Sequence, residues 1–169
     1  MPSHEPPRQL NPIGWREWAT FPEWNGVVIK AKIDTGARTS ALHAFDVRVV
    51  RRGSRRFAQF QVHPIQRSTV NVIDTEAELL EYRTVTSSGG HTSHRPVIVT
   101  HVALLDQVWP IELTLASRDT MGFRMLLGRQ ALRGRFLVDP GCSYLAGVPD
   151  GAPRSRKRSA KRSRRPKQT

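Results

Sequence analysis

The chain has 169 residues, with 27 Lys and Arg against 14 Asp and Glu, a net charge of +13 and a hydrophobic fraction of 38%, which gives one domain with a modest core rather than two. Nine of the cations lie between Gly151 and Thr169, where there is no acidic residue, so the first 150 residues hold 18 basic and 14 acidic side chains and carry only +4. The strongly basic character is thus that of a tail and does not make the whole protein a nucleic-acid binder. No apolar run nears the roughly 18 residues that span a bilayer, the first twelve residues lack the apolar centre of a secretory signal, and the lone Cys142 excludes an intrachain disulfide and a thiolate-rich zinc site. These features lead us to expect a soluble cytoplasmic protein with no membrane contact.

Taken in chain order, residues 1–12 are Pro-rich and polar and read as a mobile lead-in. The globular body is expected over 13–148. Val28 to Ile33 alternates, with Ile29, Ala31 and Ile33 on one face and Lys30 and Lys32 on the other, the period of a half-buried strand. Phe45, Val47 and Val49 alternate with Asp46 and Arg48, Arg51 to Ser54 supplies turn chemistry, and Phe60 and Val62 alternate with Gln59, Gln61 and His63, which makes a hairpin. Residues 64–94 give no clear assignment. Pro96 to Leu105 is β-rich, a short link falls at Asp106-Gln107, and Trp109, Ile111, Leu113 and Leu115 alternate with Pro110, Glu112, Thr114 and Ala116. Arg129 to Arg133 is one turn of helix, and Arg135 to Asp139 is a last strand. Residues 149–169 contain Pro, Ser and cations with no apolar side chain larger than Ala, so they are expected to be disordered. The sequence shows no internal repeat. Short strands, short links and almost no helix predict an all-β sandwich or small barrel.

The segment richest in chemistry is Ala31-Lys32-Ile33-Asp34-Thr35-Gly36-Ala37. An alternating strand ends in an Asp with a hydroxyl beside it and a Gly that lets backbone approach, a setting that can hold a carboxylate rigidly. The tripeptide alone also suits an ordinary turn. A second segment, Met125-Leu126-Leu127-Gly128-Arg129-Gln130-Ala131-Leu132, is an apolar run, a Gly and a turn of helix. Together the two resemble the retropepsin-like aspartic proteases, in which Asp-Thr-Gly-Ala carries the catalytic carboxylate and an apolar-apolar-Gly-Arg element passes behind it. The match is closer to a bacterial, RimK-associated branch that has also carried an ATP-dependent zinc protease label. It is borne by Ile13 to Glu17, Lys30 to Leu42, Arg95 to Val97, Trp109 to Leu115, Met125 to Arg129 and Phe136 to Pro140, and it covers residues 13 to about 140 without the tail.

The resemblance implies a single small closed barrel and hydrolysis of peptide or amide bonds. Two close carboxylates share a proton, one activating water while the other polarises the scissile carbonyl. It assigns catalysis to Asp34, Thr35 and Gly36 and substrate contact to Ala37, Arg38, Gly128 and Arg129. With one Asp-Thr-Gly per chain, the second Asp34 comes from a homodimer partner. No cofactor is implied. The branch also implies a glutamate-tailed ribosomal protein as substrate and a RimK-type ligase as partner, to which any ATP requirement would belong.

Other segments carry competing readings. Asp74-Thr75-Glu76 and Asp119-Thr120-Met121 lack the Gly and read as turn or cap residues. Ser87 to His94 is a flap over the cleft or a mobile hairpin loop. His91 and His94, with His101 or His63, could share a metal, but there is no His-Glu-x-x-His and no phosphate-binding Gly-rich loop, and we expect no metal site. Cys142 has no base beside it and reads as a free thiol, and Ser40 and Ser143 lack a nucleophile setting. Trp15, Trp18, Trp24 and Trp109 read as core or dimer packing rather than an aromatic binding surface. The basic tail is expected to bind polyanions weakly, with strong salt dependence. The main alternative to an enzyme is a retropepsin-fold binding module for an acidic or RNA partner.

Overall fold

The protein is described by a computed structural model covering residues 9–65, 71–87, 89–117 and 122–153. The basic tail from Arg154 onwards and the start of the lead-in lie outside these residues. The strands are β1 (Asn11–Gly14), β2 (Arg16–Phe21), β3 (Val27–Asp34), β4 (Ser40–His43), β5 (Phe45–Arg52), β6 (Arg55–Val62), β7 (Ile73–Thr86), β8 (Thr92–Leu104), β9 (Gln107–Ala116), β10 (Met125–Gly128) and β11 (Phe136–Asp139). A 3-10 turn spans Pro22–Trp24, and the one α-helix among the described residues, α1, spans Arg129–Leu132. β1 takes in Asn11 and Pro12, which the sequence places in the lead-in.

Hydrogen-bonded neighbours run β2-β3-β10-β4-β9-β8-β7-β6-β5, and β2 meets β8 again through Thr20 and Ala103. That second meeting closes β2, β3, β10, β4, β9 and β8 into a small barrel, and β7, β6 and β5 continue from it as an arm. β1 and β11 form a separate parallel pair. The alternation read from the sequence fills the barrel: Phe21, Ile29, Leu42, Ile98, Leu113, Met125 and Leu127 are fully buried. Trp24 stacks on Phe21 at 4.2 Å and meets Phe60 edge-on, so Trp24 and Trp109 are core residues.

Three expectations change. β7 takes 14 residues of the unassigned stretch and places Asp74, Thr75 and Glu76 inside a strand, paired with Gln61, Phe60 and Gln59, rather than in a turn. The pairing of β5 shifts between Phe45 and Arg48, where Asp46 adopts a left-handed φ of 49°. This bulge breaks the alternation, leaving Val49 exposed and Val50 half-buried. The β8–β9 turn falls on Leu105-Asp106, one residue earlier than expected. Asp119-Thr120-Met121 lies outside the described residues.

Candidate active site

Asp34 is the last residue of β3, and β10 runs parallel beside it with Leu126 next to Lys32, Leu127 next to Ile33 and Gly128 next to Asp34. Beyond Asp34 the chain turns back on its own carboxylate. The amides of Gly36 and Ala37 each donate to Asp34 Oδ1 at 3.1 Å. The half-buried carboxylate is therefore held by backbone through Oδ1.

The turn rests directly on Gly128. A Cβ there would lie 2.5 Å from the Thr39 carbonyl carbon and oxygen, so only Gly lets the turn close over β10. The first amides of a helix have no intrahelical acceptor. In α1 those of Arg129 and Gln130 donate instead into the turn, to the carbonyls of Ala37 (2.8 Å) and Arg38 (3.1 Å). The Arg129 guanidinium donates to the carbonyls of Thr35 (3.1 Å) and Gly36 (3.2 Å). The buried Ser40 hydroxyl accepts from the Gly128 amide at 3.0 Å.

The structure thus brings Asp34, Thr35, Gly36, Ala37, Gly128 and Arg129 into one hydrogen-bonded unit. Within it Gly128 and Arg129 support the turn from behind. Thr35 is exposed, and its carbonyl is held by Arg129. Arg38 is exposed and lines a cleft with Thr39, Arg83, Thr86, Glu112 and Gln130. One wall of that cleft is the far end of the β7–β8 hairpin; of the Ser87 to His94 stretch, Thr92, Ser93 and His94 belong to β8, paired with Thr86, Val85 and Thr84. Arg83 on this arm is paired with Glu81 and, at 3.0 Å, with Glu112 of β9.

A second Asp turn went unread in the sequence. Asp139 ends β11, and its Oδ1 accepts from the Gly141 amide at 2.9 Å. β1 runs parallel beside it with Gly14 next to Asp139. A Cβ on Gly14 would lie 2.4 Å from the Cys142 carbonyl oxygen, and the Trp15 amide donates to that oxygen at 2.9 Å. The arrangement resembles that of Asp34 over Gly128, except that the Cys142 amide donates to the Asp139 carbonyl (3.3 Å) where the Ala37 amide donates to the Asp34 carboxylate. The Cys142 thiol hydrogen-bonds Asp139, which raises its pKa above the usual thiol range. Beneath this turn the fully buried Glu17 carboxylate accepts from the amides of Gly14 (2.7 Å), Leu145 (2.9 Å) and Ala146 (3.2 Å). The Ile33 amide donates to the Trp15 carbonyl at 2.8 Å and continues the β2–β3 register, so Gly14 also lies opposite Asp34. The signals were present in Pro140-Gly141 after a strand and in Ile13-Gly14.

The histidines are dispersed. His43 and His63 are buried, each with its ring against that of Phe45, His101 pairs with Glu23 at 2.7 Å, and His94 stacks on Tyr82. Among the described residues no three His, Cys, Asp or Glu side chains come together as metal ligands. No helix among them is long and apolar enough to cross a membrane.

Residues 12–149 match the family described as RimB-like, the retropepsin-like aspartic endopeptidase RimB. The chain belongs to the RimB-like family. Its members' aspartic-endopeptidase description fits the Asp34 turn, and the all-β barrel is the retropepsin-like fold. Curated relatives of this RimB-like chain carry a different name. A probable alpha-L-glutamate ligase of Parasynechococcus marenigrum is 46% identical over 135 residues, which are 80% of this chain and 29% of that protein. One of Shewanella pealeana is 42% identical, over 80% of this chain and 30% of that protein. The chain therefore spans under a third of these relatives' length. A crystal structure from Legionella pneumophila, the protein Lpg0085 of unknown function, superposes with a TM-score of 0.67 at 26% identity and covers 80% of this chain and 98% of that one.

Proposed function

We propose that the protein is an aspartic peptidase whose working unit is a homodimer, with Asp34 of each subunit meeting at the two-fold axis. Two carboxylates brought together cannot both ionise cheaply, so they hold one proton between them. The ionised one takes a proton from water as the water attacks the scissile carbonyl, and the protonated one polarises that carbonyl. The observation that carries this reading is the Asp34 turn. Two amides hold Oδ1, which leaves the other oxygen for proton exchange, and Thr35 and Gly36 are exposed where a second copy would approach.

The substrate we propose is a peptide or protein, with a glutamate-tailed ribosomal protein as the natural case. The likeness to proteins named glutamate ligases supports glutamate amides as the bond type. It also supports a RimK-type ligase as a working partner in the cytoplasm. The test is to incubate the protein and its Asp34→Asn variant, each with and without chelator, with a peptide library that includes oligoglutamate-tailed members, and to read cleavage by mass spectrometry. Cleavage by the native protein alone supports the reading. Cleavage that persists in the variant removes Asp34 from the chemistry, and cleavage abolished by chelator assigns it to a metal.

A further inference from the structure

On β3 the side chains that share a face with Asp34 are those two and four residues back, Lys32 and Lys30. β2 places Arg16 opposite Lys32 and Trp18 opposite Lys30. Both lysines therefore lead along the outer face of the barrel towards the Asp34 turn, with Arg16 beside them. Lys32 is exposed, and Arg16 and Lys30 are half-buried.

These cations differ from those on the arm. There Arg52, Arg55 and Arg83 are each neutralised by a glutamate. Among the described residues Arg16, Lys30 and Lys32 have no ion-pair partner. Arg16 and Lys30 are held by rings instead, while Lys32 is exposed. The Arg16 guanidinium lies 4.7 Å from the Trp15 ring and 5.1 Å from that of Tyr144, and its Nε donates to Ser143 Oγ at 3.1 Å. The Lys30 ammonium lies 5.0 Å from Trp18 and 5.8 Å from Tyr144. Aromatic faces attract and orient a cation without cancelling its charge. The side of the barrel that carries Asp34 thus presents two ring-held cations and the exposed Lys32, none of them in an ion pair among the described residues. The Arg129 guanidinium is partly engaged, its Nη1 donating to the Thr35 and Gly36 carbonyls.

We propose that Lys32, seconded by Arg16, reads a substrate side-chain carboxylate next to the scissile bond, and that Lys30 receives the next one along the chain. This rests on the aspartic-peptidase reading and makes the β2–β3 face its specificity surface. Cleavage is measured with the full-length protein on two peptides identical except for Glu or Gln at the positions flanking the scissile bond. The expected result is that Lys32→Gln lowers the Glu-to-Gln ratio of kcat/KM about tenfold, the discrimination one charge-assisted contact supports, and that Lys32→Arg restores it. A ratio unmoved in Lys32→Gln, in a protein of native melting temperature, overturns the proposal.

A second arm separates this failure from that of the peptidase reading. Asp34→Asn protein is titrated with a hexaglutamate-containing peptide, and binding is followed by the fluorescence of the half-exposed Trp15 and Trp18. Binding that Lys32→Gln weakens sustains the surface even if the native protein cleaves nothing. No response to the peptide overturns it, as does tighter binding of oligouridylate, which would make this face a nucleic-acid surface.

Discussion

The Asp34 and Asp139 turns are built alike and end differently. In each, an Asp at a strand end accepts from the amide of a Gly two residues on, beside a parallel Gly that admits the returning chain. Around Asp34 the remaining bonds come from the start of α1 and from Arg129. Around Asp139 the support is a buried carboxylate below, and the turn's own thiol donates to Asp139. The comparison separates architecture from chemistry. A Gly-backed Asp turn joins a strand end to a parallel neighbour at both places, but the Asp34 carboxylate is half-buried and held by two amides, whereas that of Asp139 is exposed, held by one amide and bonded by a thiol.

That distinction is sharpest in activity. Asp34→Asn is expected to lower kcat/KM on a cleaved peptide by about a thousandfold, within the range of general acid–base catalysis, while Asp139→Asn keeps native cleavage. Equal losses would make the two turns equivalent. In stability the turns should behave alike: Gly128→Ala and Gly14→Ala each place a Cβ about 2.5 Å from backbone and should each cost ~3 kcal/mol. In calorimetry that lowers the melting temperature by roughly 6–12 °C, and a shift confined to one variant would break the parallel. The supports differ in strength, so Glu17→Gln should cost ~2 kcal/mol and Ser40→Ala ~1 kcal/mol in urea unfolding. The smallest effect concerns Cys142. With its pKa raised by Asp139, less thiolate is present at pH 8, so iodoacetamide should alkylate it more slowly than a free cysteine peptide. Asp139→Asn should remove that lag.

The barrel was legible because its strands are half-buried. Ile29, Ala31 and Ile33, or Trp109 to Leu115, alternate on the period that burial on one face imposes. β7 was not. Glu76, Glu78 and Glu81 serve as partners to arm arginines and Gln59, and the register shift between Leu79 and Glu81 interrupts what alternation remains. The Asp34 turn could be read from Asp-Thr-Gly-Ala and Leu-Leu-Gly-Arg together. Its counterpart left a weaker signal, since Gly128 follows Asp34 in sequence whereas Gly14 precedes Asp139, and Asp-Pro-Gly shares only two residues with Asp-Thr-Gly. A repeat in space with its parts in reversed order leaves no repeat in sequence. The cationic face was half legible: the alternation put Lys30 and Lys32 outward, but only the β2–β3 register set Arg16 beside them.

The central claim is that two copies of Asp34 form one catalytic pair. The measurement that tests it most directly is to mix a fixed amount of native protein with increasing Asp34→Asn protein, allow the subunits to exchange, and follow cleavage of a single peptide. A pair shared across the dimer predicts that activity falls steadily as native subunits are drawn into mixed dimers. Activity that stays constant at any excess of the variant would contradict the account and assign catalysis to the single chain.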